Sequence, residues 1–178
     1  MKKILSFVLA ASLLLCGLPT QSLAAGFTDI QGHWAEKSIN RVVEKGLFSG
    51  VSATEFQPDG TMTRAMFVTV MAKYSGYTPS DYHTKKFKDV PADAWYASAV
   101  AWAVQNGVVS GTSDNTFSPN APVSRQQAAV ILVAYSNAAG VLLPRTRSCS
   151  GFPDNAQCAD YALDAVYTLY RAGLVDGM

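Results

Sequence analysis

The chain repeats itself, and the repeat limits what it can fold into. Phe56-Gln57-Pro58 followed by Thr63-Arg64 returns sixty-one residues later as Phe117-Ser118-Pro119 followed by Ser124-Arg125. A unit this short cannot bury its own apolar stripe, so neighbouring units must pack on one another. The run after each arginine reads as a helix. Phe67, Val70, Met71 and Tyr74 fall at i, i+3, i+4 and i+7, and Ala128, Ile131, Leu132 and Tyr135 repeat that face. Thr63 and Ser124 are N-cap residue types, and Ser124 with Gln127 makes a capping box.

A first helix precedes each of these. Its apolar positions are Ala35, Ile39, Val42 and Val43 in the first unit and Tyr96, Val100, Ala103 and Val104 in the second. A third set, Ala162, Val166, Leu169 and Tyr170, follows Asp160. Each unit opens on a Phe-containing turn: Phe27-Thr28-Asp29, Phe87-Lys88-Asp89 and Phe152-Pro153-Asp154. A Gly-x-x-x-Gly segment closes each first helix, at 46–50, 107–111 and 173–177, with the leading glycine read as a left-handed cap. Asp93 and Asp160 are expected to cap the first helices of units two and three. No third Phe-x-Pro loop or arginine helix follows within the 178 residues. The expected class is all-α: helix–loop–helix repeats around a pseudo-threefold three-helix centre, with the third repeat truncated. The expected boundaries are 27–76 and 87–140 for two full units and 152–178 for the half unit, with linkers at 77–86 and 141–151.

Residues 1–25 read as a secretory signal peptide. Met1-Lys2-Lys3 is a basic start, Ile4 to Leu18 is apolar, and Ser22-Leu23-Ala24-Ala25 supplies small residues for cleavage. The apolar run is shorter than the ~20 residues a spanning helix needs. Three leucines before Cys16 argue against a lipidation site. Removing the leader takes Lys2 and Lys3 from the 14 basic residues, leaving 12 basic against 13 acidic, a net charge of −1. That balance gives no reason to expect nucleic acid. In a secreted chain Cys149 and Cys158 are candidates for a disulfide closing a small loop, worth about 2–3 kcal/mol, the alternative being two free thiols.

Arg64 and Arg125 stand at the first position of their helices, where unpaired N–H groups and a partial positive charge suit an anion. A carboxylate there gathers backbone donors and a bidentate guanidinium. The structural alternative pairs these arginines with Asp29 and Asp89 of the same repeats. Trp34 and Trp95 offer flat surface to a sugar ring, but their place beside apolar stripes favours core packing. His33 and His83 are isolated and have no metal-ligand spacing, so neither a metal nor another cofactor is implied.

Phe-x-Asp, Trp, Gly-x-x-x-Gly, Phe-x-Pro and [Thr/Ser]-Arg, in that order and in a unit of about sixty residues, resemble the S-layer homology repeat. The resemblance covers essentially the whole chain after the leader. It implies a secreted bacterial protein, held at the cell wall or S-layer, that binds cell-wall polysaccharide non-covalently, often a secondary polymer carrying pyruvate ketals. It associates ligand contact most with Arg64 and Arg125, and Thr63, Ser124, Asp29, Asp89, Trp34 and Trp95 complete the candidate ligand-binding set. The family signature Thr-Arg-Ala-Glu appears here as Thr63-Arg64-Ala65-Met66 and Ser124-Arg125-Gln126-Gln127, so both glutamates are missing. No nucleophile–base or metal constellation points to an enzyme. The other reading is an assembly element, in which the half repeat is completed by self-association or by a partner chain, or the anchor of a larger surface protein.

Overall fold

The computed structural model describes residues 26–83 and 86–176. The expected leader and the last glycine of the third Gly-x-x-x-Gly segment lie outside the described residues. Among the described residues the protein is helical and has no β-strand: α1 Glu36–Glu44, α2 Arg64–Tyr74, α3 Ala97–Gln105, α4 Arg125–Ala138 and α5 Asp160–Arg171. The chain is therefore all-α. No described helix is long and apolar enough to cross a membrane.

Local chemistry explains where the helices begin and end. The Thr63 hydroxyl accepts from the Met66 amide, and Ser124 and Gln127 form both halves of their capping box. Gly46, Gly107 and Gly173 end α1, α3 and α5 at φ near +70°, as a left-handed cap requires. The two aspartates do otherwise than expected. The residue before α3 is Tyr96, which makes no side-chain cap, because a turn through Ala94 separates Asp93 from the helix. Asp160 lies inside the first turn of α5, where its charge complements the helix dipole without capping.

The close helix pairs are α2 with α3 and α4 with α5. The small face of α2 (Ala65, Val68, Ala72) lies against Ala99, Val100 and Ala103 of α3, and Phe87, Val108, Phe117 and Ile131 complete that core. This centre is buried on every side of α3 from Ala99 to Ala103. The three first helices do not share one cluster. Ile39 of α1 packs with Phe27 and Ile30, Val100 of α3 sits in the main core, and Leu169 of α5 packs with Ala129 and Ala165. The units therefore join in sequence order, each arginine helix carrying the contact to the unit that follows.

The last glycine of each described Gly-x-x-x-Gly segment seals its unit. A Cβ on Gly50 would stand 2.4 Å from the Phe27 ring, and one on Gly111 would stand 2.7 Å from the Phe87 ring and 2.3 Å from the Ser113 carbonyl. The phenylalanine of the opening turn is thus pressed onto the backbone, which needs glycine there.

Candidate functional site

The Phe-x-Pro loops are held from below by the aspartates. Asp29 accepts from the amides of Phe56 (3.0 Å) and Gln57 (2.7 Å), and Asp89 accepts from Phe117 (2.9 Å) and Ser118 (2.7 Å). Gln57 and Ser118 adopt left-handed backbones, φ 59° and 57°, a conformation that only such anchoring sustains in a side-chain-bearing residue. The Phe56 amide, with that of Gln57, draws the Asp29 pKa below its usual value. Burial works to raise Asp89, yet the Phe117 and Ser118 amides hold it low as well. These carboxylates are committed to loop amides, and neither pairs with an arginine among the described residues.

Arg64 leaves its own repeat. Its side chain crosses to the second unit, where Nε donates to the Phe117 carbonyl (3.0 Å) and Nη2 to the Ser110 carbonyl (3.2 Å). The guanidinium lies 4.8 Å from the centre of the Phe117 ring. Arg64 is only 7% exposed. Burial pushes its pKa below the usual value, and Tyr161, at the start of α5, lies within electrostatic range and offsets part of that. A buried guanidinium is thus held by carbonyls and a ring, with no carboxylate. Its Nη1 has no acceptor among the described residues and is not sealed from solvent.

The backbone donors expected beside this arginine are taken. The amides of Arg64 and Ala65 donate to the carbonyls of Ala121 and Pro119, and Met66 donates to Thr63. No free N–H remains at the start of α2 for an anion, so any anion meets the guanidinium edge alone.

Arg125 repeats half of this arrangement. Its Nη2 donates to the Asp176 carbonyl (3.3 Å), the position in the third unit that matches Ser110 in the second. No counterpart of Phe117 lies under it among the described residues. Arg125 is exposed, and its amide and that of Gln126 have no acceptor among the described residues. Beside it runs a groove of about 360 Å³ lined by Ser124, Arg125, Gln126, Phe152, Asp154 and Asn155, among others. Gln126, where the family pattern has alanine, accepts from the Ala159 amide at 2.8 Å and ties α4 to the start of α5. Guanidinium, two free amides and a hydroxyl converge here, with Asp154 as an opposing charge.

Trp34 and Trp95 are not core residues. Trp34 is 89% exposed and Trp95 62% exposed, and Tyr161, which holds the same place in the third unit, is also 62% exposed. Each precedes its helix or opens it, so the helical period does not turn it inward. Ala35 and Ile39, or Tyr96 and Val100, take the core positions instead.

The S-layer homology domain pattern matches residues 26–66 and 86–129. The chain belongs to the S-layer homology family. An exoglucanase of Acetivibrio thermocellus is 26% identical over 93% of this chain and 15% of its own length. The surface-layer 125 kDa protein of Lysinibacillus sphaericus is 36% identical over 60% of this chain and 9% of its own. The S-layer protein sap of Bacillus anthracis is 33% identical over 74% and 16%. The chain therefore spans less than a fifth of each of these relatives.

Both matched S-layer homology stretches include their arginine helix start, and the third unit lies outside them. Sequence reasoning brought forward Arg64, Arg125, Thr63 and Ser124, and the structure sets each at an inter-unit junction. It missed the electrostatic influence of Tyr161 on Arg64, because that influence links units one and three. The only signal was Tyr161 occupying the tryptophan place of the repeat. Cys149 and Cys158 are free thiols, both half-buried. Arg171 holds the Cys149 carbonyl, and the Cys158 thiol lies against the Ala159 carbonyl.

Proposed function

We propose that this chain is a non-catalytic cell-surface anchoring module that binds cell-wall polysaccharide through an acidic, pyruvylated sugar read by Arg64 and Arg125. The observation that carries this reading is Arg64: a residue 7% exposed whose guanidinium rests on two carbonyls and a ring, without a carboxylate, and keeps Nη1 unpaired among the described residues. Carbonyl acceptors position the cation but do not neutralise it, so a ligand carboxylate completes it at little reorganisation cost. Thr63 and Ser124 set the helix starts from which the arginines project. Trp34, Trp95 and Tyr161 provide apolar faces for sugar rings. Asp29 and Asp89 act through the loops they hold. Catalysis in such proteins belongs on this reading to other domains, as the small matched share of the exoglucanase suggests.

A pull-down on purified sacculi, with and without acid extraction of the secondary polymer, tests the reading. Binding that vanishes on extraction, and falls in Arg64→Lys and Arg125→Ala proteins that keep their circular dichroism, supports it. A folded protein that ignores intact sacculi overturns it.

A second reading is favoured by the unequal arginines. Arg125 holds one carbonyl where Arg64 holds two, and the Phe56 loop of the first unit is half-buried where the matching Phe117 loop is buried. An assembly element completed by self-association or by a partner chain predicts a concentration-dependent oligomer by sedimentation. A strict monomer at all concentrations removes it.

A further inference from the structure

The arginines stand at one end of α2 and α4, and a second groove of about 390 Å³ opens at the other end of the same helices. That volume is in the range of small-ligand sites, about 300–1,000 Å³. Its walls are aromatic. Tyr77 lies 6.2 Å from Tyr82 and 6.2 Å from Trp102, and Trp102 lies 6.2 Å from Tyr135, centroid to centroid. Successive planes tilt by 45°, 53° and 48°, so the rings form a curved wall rather than a stack. The hydroxyls of Tyr82 and Tyr135 have no hydrogen-bond partner among the described residues, and so stand ready to accept.

The electrostatics have one sign. Ser75 and Gly76 follow α2, and Ala138 and Ala139 end α4, so two helix C-termini with their partial negative charge meet here. Asp81 lines the same groove, accepts only from the Ser80 hydroxyl, and faces no cation among the described residues. Asn106 spends its amide N–H on the Trp102 carbonyl and keeps its oxygen unpaired. Lys73 and His83 are near in sequence but do not line the groove.

We propose that this groove binds an alkylammonium group. Aromatic faces, a carboxylate and two helix C-termini all favour a cation and disfavour an anion. A neutral sugar would stack on the rings and could donate hydroxyls to Asp81, but it would gain no charge attraction from the carboxylate or the helix C-termini. The group has two natural carriers at a cell wall, a free amino sugar and a lysine-type side chain, and they share this chemistry. The proposal is independent of the arginine sites.

The test is a ¹⁵N-NMR titration of the mature chain with glucosamine, Nα-acetyl-lysine amide and N-acetylglucosamine. Expected are saturable shifts at Tyr77, Asn106 and Ala139 with one or both cationic probes, which also assigns the carrier. N-acetylglucosamine at the same concentrations should leave them unmoved. Asp81→Asn, at an exposed position, should weaken cation binding about five- to tenfold without changing the spectrum elsewhere. Equal shifts with N-acetylglucosamine, no shifts with either cation, or shifts indifferent to Asp81→Asn each overturn the proposal.

Discussion

An N-cap hydroxyl followed by arginine opens both α2 and α4, and the two arginines meet different surroundings. Arg64 is buried on two carbonyls and a phenyl ring, with its helix amides capped by the next unit. Arg125 is exposed on one carbonyl, with two amides open. The dipeptides differ only in which hydroxyl caps, and each hydroxyl accepts from the amide three residues on, with Gln127 adding a return bond at α4 that Met66 does not make at α2. What differs is the receiving surface: unit two has a Phe-x-Pro loop, and the described part of unit three has none. The fate of the arginine is therefore decided by the repeat that follows it. A buried arginine contributes to packing as well as to a ligand site, whereas an open one contributes little to packing.

The largest expected effect separates those roles. Arg64→Ala strips two hydrogen bonds from a charged donor and leaves the Ser110 and Phe117 carbonyls without it. We expect a loss of about 2–4 kcal/mol in urea denaturation. Arg125→Ala should cost no more than about 0.5 kcal/mol, as exposed substitutions usually do. Equal losses would erase the distinction between the junctions.

The capping residues give the next step down. Ser124→Ala removes the hydroxyl half of a capping box at a helix start with open amides and leaves the Ser124 amide on Gln127, and about 1 kcal/mol should be lost. Thr63→Ala removes one bond where the next unit already satisfies two amides, so its loss should be smaller. A larger loss at Thr63 would mean that the inter-unit bonds depend on that hydroxyl.

The aspartates provide a pH dependence. Both folded pKa values lie below the ordinary carboxylate value of 3.8. The unfolded chain therefore binds protons first as pH falls. The stability these groups contribute is complete above the unfolded value and is lost as pH drops through the folded values. Acid titration of stability should show this loss below about pH 4. Asp89→Asn should flatten it more than Asp29→Asn, because the loop that Asp89 holds also carries Arg64.

How much of this was legible follows from the range over which each signal acts. Caps, left-handed glycines and the α2 and α4 faces are local, and the residues near them determine them. Position decided the cases that failed. Trp34 lies two residues before α1, outside the helical period that places Ile39 inside. Asp29 reaches a loop twenty-seven residues away, to steady a left-handed Gln57 whose side chain gives no warning of that conformation. The Arg64 contacts span 46 and 53 residues, and a repeat announces that units pack without saying which unit receives which side chain.

The smallest effect on stability is the sharpest on function. Tyr161 is exposed and exerts an electrostatic influence on Arg64, so Tyr161→Ala should change stability by no more than about 0.5 kcal/mol. On the proposed reading it should nevertheless weaken wall binding several-fold, since a stacked ring is lost beside the cation. Trp34→Ala, in the same repeat position of the first unit, separates two accounts. If both substitutions weaken binding equally, the aromatics act as a general apolar surface. If Tyr161→Ala acts alone, and its effect disappears in an Arg64→Lys background, ring and guanidinium form one site assembled from the first and third units. Additive losses in that double variant would instead place the two residues at separate contacts along the polymer.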